Sequence, residues 1–503
     1  MLKDALEGEL SRRLAENEEQ IYRLLGKSSD LVRKQLMLGE HTQLAIFYID
    51  GLVDTGLLHH SILYSLQEER AADLLEELTP DDKIELLRKR VLMASDLTVI
   101  RDFSHFVHDL LSGNVMLMLD GTNAALRIGL PGWEDRNVSE PNSQSVVRGP
   151  MEGFTENLRT NTALIRRKIK DSQLWLETVQ IGRVTQTSVS IMYLRNIANE
   201  ELVGEVKRRL SRIDTDSILE SGYIEEFIQD ASLTPFPTMY NSDRPDTIAA
   251  GILEGKVAIL VDGTPFVLLA PTVFVSFFQS AEDYYQRADI STLLRFVRFL
   301  AFFITLFAPS FYVAITTYHQ EMIPSNLVIS LAAQRETVPF PAFVEALLME
   351  LTYEILREAG VRIPKNVGQA VSIVGTLVIG QAAVAAGFIS SAMVIIVSIT
   401  AISSFVIPEA GMAIAARIMR FALIALAGFM GLYGILCGVF LLVLHLVSLR
   451  SFGVPYMSPL GPYRAADLKD SIFRFPWPLL RTRPKENKTQ NLHRQPPLKR
   501  KEP

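Results

Sequence analysis

The sequence predicts two duplicated α/β cytoplasmic subdomains followed by a transmembrane α-helical bundle. Three observations lead to this fold class. An apolar hairpin motif occurs twice, about 142 residues apart. A run of 43 residues, Asn366 to Pro408, has no charged side chain, which is about twice the roughly 20 residues a helix needs to cross a bilayer. Hydrophobic residues make up 48% of the 503 residues, and they are concentrated in the C-terminal half.

The N-terminus indicates that the first half of the chain stays in the cytoplasm. Residues 1–30 alternate positive and negative charges and lack the apolar stretch of a signal peptide. We interpret them as an N-terminal helical extension. The single cysteine, Cys437, excludes an intrachain disulfide bond.

Two matching segments predict the duplicated subdomains. Gly113 opens GNVMLMLDGTNAALRI and Gly255 opens GKVAILVDGTPFVLLA. An Asp-Gly pair between apolar runs is a strong hairpin signal, because such turns need positive φ angles. Upstream, the segment from Leu44 resembles the segment from Val189. We predict α/β subdomains over residues 31–150 and 175–290; the alternative is a chance likeness between short apolar strands.

A basic linker helix is predicted over residues 151–174. A phosphate or lipid-headgroup site is one interpretation of its cations, and a solvated helix face is the other. The cations are Arg159, Arg166, Arg167, Lys168 and Lys170.

The transmembrane domain is predicted over residues 291–450, with spans at 299–318, 367–387, 388–407 and 421–449. Arg295 and Arg298 precede the first span, which places that end in the cytoplasm by the positive-inside rule. Four crossings then return the chain to the cytoplasm, where the basic tail, residues 451–503, belongs. Arg417 and Arg420 oppose this topology, because they would lie on the far side.

An interfacial helix over residues 341–359 is predicted between the first two spans. Its polar face carries Glu350 and Glu354, and Glu345 falls on the apolar face. A carboxylate there should be paired, protonated or facing water. All three carboxylates are candidates for a cation-attracting vestibule; for Glu345, a salt bridge to a neighbouring subunit is the alternative.

The span 367–387 carries a stripe of small and polar residues on one face. Such a stripe indicates either close helix packing or, in a ring of several copies, the lining of a narrow pore with a hydrophobic gate. The pore-lining candidates are Gln369, Ser372, Thr376, Gly380, Ala383 and Gly387, and the gate candidates are Val374, Leu377 and Val378.

The last span has a stripe of glycines without polar companions. We interpret it as a helix-packing face. Its members are Gly428, Gly431, Gly434 and Gly438.

Signatures of catalysis and of nucleic-acid binding are missing from the sequence. We find no phosphate-binding glycine loop, zincin motif or serine elbow. His105, His108 and Asp109 are more typical of helix packing than of a metal site, so no metal or cofactor is predicted. From Arg481 onward the tail carries eight Lys or Arg and two Glu, which favours a disordered segment held by anionic membrane lipids; no aromatic platform accompanies it, so nucleic acid is the poorer interpretation.

Four segments resemble the A subunit of spore germinant receptors, the GerA family. They are MEGFTENLRTNTALIRRKIK, ILVDGTPFVLLAPTVF, GQAVSIVGTLVIGQAAVAAG and SFGVPYMSPLGPY. The resemblance extends from about Leu31 to Arg483. It implies a spore inner-membrane protein that works with a transporter-like B subunit and a lipoprotein C subunit. It also implies a homo-oligomer that forms a nutrient-gated channel for monovalent cations, and it favours the pore interpretation of the 367–387 stripe.

Other functions remain open on the sequence. The family includes a stage V sporulation paralogue that amplifies ion release. A membrane-tethered scaffold would use its helices only as anchors. A secondary transporter is disfavoured, because the four predicted spans contain no Asp, Glu, Lys or Arg.

Overall fold

The computed structural model describes residues 8–38, 42–63, 66, 79–91, 96–132, 141, 144, 146–362 and 380–496. These residues form two compact units. The first, which we call the α/β unit, comprises the described parts of Met1–Gln229, Met239–Pro271 and Arg481–Pro503. The second, the helical unit, comprises Asp230–Thr238 and Thr272–Leu480.

The first repeat of the α/β unit is an antiparallel five-stranded sheet of order β1-β2-β4-β5-β3, covered by helices. Short π-helical turns, His59–Leu63 and Leu87–Val91, extend its second and third helices. In chain order its elements are α1 (Leu14–Leu25), β1 (Leu31–Leu38), β2 (Thr42–Ile49), α2 (Thr55–Leu58), α3 (Pro80–Leu86), β3 (Leu97–Ile100), α4 (Phe103–Leu111), β4 (Val115–Leu119) and β5 (Ala125–Ile128).

The central strand β4 shows why this sheet lies between two helical layers. All five of its side chains are buried. Met116 and Met118 join a cluster that contains Phe106 of α4, while Leu117 joins a cluster on the opposite face that contains Leu87. Alternating side chains of a strand point to opposite faces. A continuous apolar run is therefore required wherever both faces are covered.

The second repeat has the same topology, with strand order β6-β7-β9-β10-β8. This equivalence confirms the predicted duplication. Its elements are α5 (Leu158–Lys168), β6 (Leu174–Ile181), β7 (Thr187–Leu194), α6 (Glu200–Leu210), α7 (Ser221–Ile228), β8 (Tyr240–Ser242), α8 (Pro245–Leu253), β9 (Val257–Val261) and β10 (Val267–Ala270).

The hairpin aspartates hold the first helix of each repeat. The backbone N–H of Leu14 donates to Asp120 Oδ1 at 3.0 Å, and the N–H of Leu158 donates to Asp262 Oδ1 at 3.1 Å. Each carboxylate thereby satisfies a free donor at a helix N-terminus and complements the helix dipole. The structure thus differs from the sequence analysis: α1 and α5 are equivalent parts of the two repeats, rather than an extension and a linker.

Asp262→Ala should lower the free energy of unfolding of the α/β unit by about 1 kcal/mol, the usual cost of removing a side-chain cap. Thermal unfolding of the full chain measures the change. Asp214→Ala is the matched control, because Asp214 is 80% exposed and pairs only loosely with Arg183, at 3.4 Å. Equal midpoints for the two variants would show that the Asp262 cap contributes nothing.

The helical unit contains six α-helices among its described residues, followed by a two-stranded ribbon. Two of these helices, α9 and α14, are long and apolar enough to cross a membrane, and α13 is a shorter apolar helix. Residues 363–379, which include most of the predicted second span, lie outside the described residues. The elements are α9 (Ala288–Tyr318), α10 (Ser325–Arg335), α11 (Ala342–Arg362), α12 (Gly380–Ala385), α13 (Ser391–Val406), α14 (Ala410–Ser448), β11 (Arg450–Ser451) and β12 (Val454–Pro455).

The helix α14 folds back on itself at Gly431, where the backbone has φ 62° and ψ −141°. A Cβ atom built on Gly438 would lie 2.6 Å from Leu423 Cδ2. In a straight helix these residues would be about 22 Å apart along the axis. α14 therefore consists of two arms, residues 410–430 and 432–448, where the sequence analysis expected one span over 421–449.

The surroundings of Tyr456 agree with this reversal. Tyr456 follows the second arm, and Glu409 precedes the first arm. Burial raises the pKa of Tyr456 well above its ordinary value, and the negative charge of Glu409 adds to this effect. The two residues therefore lie near each other. Both ends of α14 thus lie at one end of the helical unit. The positive φ at the reversal is readily adopted only by glycine, so Gly431 marks the turn.

From Arg481 onward, the described residues of the basic tail pack against the α/β unit, contrary to the disordered segment expected from its composition. Arg483 Nε donates to the carbonyl oxygen of Leu253 at 2.8 Å, and Arg494 pairs with Glu254 at 2.9 Å. Gln490 also bonds through its N–H to Ile197 O at 3.0 Å. Leu253 and Glu254 end α8, where free carbonyl groups and the helix dipole attract cations.

Candidate functional site

Five charged side chains meet inside the helical unit, and we call them the arginine–glutamate cluster: Glu350, Glu354 and Arg357 of α11 with Arg417 and Arg420 of α14. The residues follow one another at three- or four-residue spacing on each helix, so they share one face of it. Arg420 Nη2 lies 2.6 Å from Glu350 Oε2 and 3.3 Å from Glu354 Oε1. Arg417 Nη1 lies 2.9 Å from Glu354 Oε2. Arg420 and Glu350 are fully buried, so the cluster is an interior feature.

The cluster changes the interpretation of two predicted vestibule residues. Glu350 and Glu354 pair with arginines of the same chain, and their role in a vestibule stays a prediction. Arg417 and Arg420, which opposed the predicted topology, each pair with a carboxylate inside the helical unit. The last long helix, α14, begins at Ala410 and includes both arginines, so an absence of charged residues from the spans no longer counts against a transporter.

Glu345 is paired, one of the three states expected for it. Its Oε1 accepts hydrogen bonds from the backbone N–H of Ser390, at 2.6 Å, and from the Ser390 hydroxyl. Ser390 is the N-cap of α13, where its Oγ accepts the N–H of Met393. Arg335 Nε lies 3.9 Å from the other carboxylate oxygen. Glu345 thus anchors the start of α13 to α11.

The pore candidates are only partly described. Gln369, Ser372 and Thr376, with the gate candidates Val374, Leu377 and Val378, lie outside the described residues.

Gly380 and Ala383 belong to α12. Gly387 has φ 69° and lies in the turn between α12 and α13, the point where the sequence analysis divided the long apolar run. A Cβ atom on Gly387 would approach Thr337 O to 3.2 Å. The pore and packing interpretations of this stripe both stay open on the geometry.

The glycine stripe of the last predicted span lies at close contacts on both arms of α14. A Cβ atom on Gly428 would come within 2.4 Å of the Phe343 ring on α11, and one on Gly434 within 2.2 Å of Leu426 O on the other arm. Small residues permit such close approach between helices.

A second buried charge network holds the base of α9, and the sequence analysis missed it. Asp283, fully buried, accepts hydrogen bonds from Arg295 Nε at 2.9 Å and from Arg298 Nη1 at 2.8 Å. Arg295 also lies 3.2 Å from Asp470 Oδ1. Burial alone would lower the pKa of Arg295, but Tyr284, Asp470 and Asp283 raise it above its ordinary value, so the guanidinium remains charged. The two arginines were noted only as topology markers.

The cations of α5 are largely committed to carboxylates of the α/β unit. Arg166 is 1% exposed and binds Asp30 through two hydrogen bonds, of 2.6 and 2.9 Å. Lys168 pairs with Glu152 at 3.0 Å, and Arg159 pairs with Asp50. Such internal pairing disfavours the phosphate or headgroup interpretation of this helix.

The histidines considered as metal ligands show no site. His105 Nδ1 lies 2.6 Å from Asp102 Oδ2 on the exposed N-terminal turn of α4. No group of three or more potential metal ligands occurs in the part of the chain that the structure describes.

Comparison with known proteins gives a consistent result. A family model described as Bacillus/Clostridium GerA spore germination protein matches residues 19–486. Spore germination protein KA of Bacillus subtilis (strain 168) is 49% identical over 496 residues, which cover 98% of this chain and 90% of that protein. Spore germination protein GerLA of Bacillus cereus is 39% identical, over 96% of this chain and 97% of that protein.

Spore germination protein A1 of Bacillus subtilis (strain 168) is 37% identical, over 93% of this chain and 94% of that protein. Among solved structures, the crystal structure of the N-terminal domain of the A subunit of the Bacillus megaterium spore germinant receptor GerK3 is 38% identical. It covers 53% of this chain and 98% of its own, with a TM-score of 0.42.

Proposed function

Because this chain belongs to the GerA family of spore germination proteins and is related throughout its length to A-type subunits, we propose that several copies of it form a nutrient-gated channel for monovalent cations. The channel would lie in the spore inner membrane, and its opening would start germination. The relatives' names support the germinant receptor role. The ring of copies and its pore are the proposed steps beyond that role.

The observation that carries the channel proposal is the stripe on residues 367–387. It combines small and polar side chains with a run that has no charged residue from Asn366 to Pro408. A uniform, uncharged lining suits monovalent ions that pass without tight binding. Glu350 and Glu354 of α11 pair with Arg420 and Arg417 of α14 inside the chain, so the proposal assigns the pore lining to the uncharged stripe.

Gating follows from the proposed partners. A transporter-like B subunit would bind the nutrient, and a lipoprotein C subunit would complete the receptor. Nutrient binding opens the ring only to the extent that the open arrangement binds the nutrient more tightly than the closed one.

Thr376→Leu should reduce cation flux through the assembled receptor, because the larger side chain narrows the proposed pore. Val378→Ala should increase the leak of ions through the closed receptor, because the smaller side chain widens the proposed gate. Ion flux from vesicles that contain the receptor measures both changes. Val406→Ala, at the end of α13, is the matched control for the second substitution. If both variants assemble and conduct as the parent does, residues 367–387 do not form the pore.

Cysteine substitutions separate the channel from a tethered scaffold. Cysteines at Gln369, Ser372, Thr376 and Gly380 should react with a charged, water-soluble thiol reagent if this face lines a pore. Uniform protection of all four positions supports an anchor without a pore. Substrate-coupled uptake by the chain would instead support the transporter alternative.

A further inference from the structure

The arginine–glutamate cluster contains one positive charge more than it neutralises. Among the described residues of the cluster, three arginines, Arg357, Arg417 and Arg420, stand against two carboxylates, Glu350 and Glu354. The next carboxylate of α11, Glu358, is exposed and pairs with Arg362 at 2.6 Å. Arg357 is half-buried and Arg420 is fully buried, and an uncompensated charge there is costly to the extent that it gives up its hydration without gaining a partner. The excess cation therefore calls for a negative group.

The chain does not supply that group from its neighbouring residues. The sequence contains no Asp or Glu from Ala359 to Pro408, so residues 363–379, which the structure does not describe, contribute no carboxylate. Glu345 is engaged with Ser390. Glu409 accepts the N–H of Met412 at 2.7 Å as the N-cap of its own helix.

Unused hydrogen-bond donors point to the same need. Among the described residues, four buried donor atoms of the cluster, Arg420 Nε and Nη1, Arg417 Nε and Arg357 Nη1, have no acceptor, and they outnumber the two oxygens of Glu350 that also lack a hydrogen-bond partner. Arg357 instead places its guanidinium 5.2 Å from the Phe405 ring centroid, a cation–π contact that leaves its N–H edge free. Arg420 is fully buried, so bulk water does not satisfy it. Buried donors without acceptors destabilise a fold unless a water or ligand binds them.

We propose that the arginine–glutamate cluster binds a small monovalent inorganic anion, of which chloride is the test case. The anion would neutralise the excess arginine and accept its free N–H groups. It would thereby strengthen the contact between α11 and the first arm of α14. This site is independent of the channel proposal, because it requires only the contacts within one chain.

The test compares chloride with gluconate, a bulky anion, at equal ionic strength on the purified full-length chain. At about ten times its dissociation constant, chloride should raise the thermal unfolding midpoint by roughly 2–4 °C. Arg357→Gln should abolish this chloride effect, because it removes the excess charge, and Arg357→Lys should keep part of it. Arg362→Gln is the matched control on the same helix and should keep all of it.

The result that overturns the proposal is equal stability of the parent chain in chloride and gluconate. A chloride effect that survives in Arg357→Gln at full size also overturns it, because chloride would then act elsewhere. A failure of Arg357→Gln to fold does not obstruct the test, since Arg357→Lys and the parent chain still report the anion dependence.

Discussion

Asp283→Ala is expected to lower the free energy of unfolding of the helical unit by about 3–5 kcal/mol, the usual cost of breaking a buried ion pair from one side. Asp283 is fully buried and lies 2.9 Å from Arg295 and 2.8 Å from Arg298. Removing this carboxylate takes away a negative charge that balances the guanidinium groups of Arg295 and Arg298. Arg295 keeps Asp470 at 3.2 Å, but the burial of Arg295 is complete. The base of α9 should therefore loosen.

The thermal unfolding midpoint of the full chain measures this loss, which should amount to roughly 6 °C or more. Asp289→Ala is the matched control, because Asp289 lies at the start of the same helix, is 61% exposed and pairs with Arg287 near solvent. Exposed pairs contribute little. Similar midpoints for the two variants would mean that Asp283 is not the counter-ion that the structure assigns to Arg295 and Arg298.

The α/β unit was predictable from sequence because its signals are local. An Asp-Gly turn between apolar runs specifies a hairpin within some ten residues, and two such hairpins revealed the repeat. The role of the turn aspartates was not visible in the same way. Asp120 reaches Leu14 and Asp262 reaches Leu158 across more than 100 residues of sequence. For that reason α1 and α5 were not recognised as equivalent helices.

The structure of the helical unit differs from the prediction at those helices whose sequence pattern is compatible with two different surroundings. The polar face of α11 has the spacing of a helix exposed to water, but its carboxylates meet arginines about 65 residues further along the chain. The glycine stripe of α14 is equally compatible with a straight packed helix and with the reversal that the structure shows at Gly431. The contacts of Gly438 with Leu423 and of Gly434 with Leu426 distinguish the two.

The tail shows the limit of composition as a guide. Its cations and prolines favour a disordered segment, yet Arg483 and Arg494 bind the C-terminal end of α8. A helix end presents free carbonyl oxygens whose position in space the tail sequence does not reveal.

The pore candidates from Gln369 to Val378 remain a prediction from sequence.

Glu350→Ala is expected to destabilise the contact between α11 and α14 by about 3–5 kcal/mol, because it leaves Arg420 buried with only the more distant Glu354. Arg420 Nη2 lies 2.6 Å from Glu350 and 3.3 Å from Glu354. The unfolding midpoint of the full chain should fall accordingly. Glu358→Ala, which removes an exposed carboxylate from the same helix, should leave it nearly unchanged.

The exchange of the two charges tests whether the pair itself stabilises the fold. Glu350→Arg alone places two cations together, and Arg420→Glu alone places two carboxylates together, so each should be at least as unstable as Glu350→Ala. The double variant restores an ion pair and should recover part of the loss, a coupling that a double-mutant cycle isolates. Recovery would show that the two side chains stabilise the fold through each other. Strictly additive losses would mean that Glu350 and Arg420 act through separate neighbours, and the pairing that joins α11 to α14 would have to be abandoned.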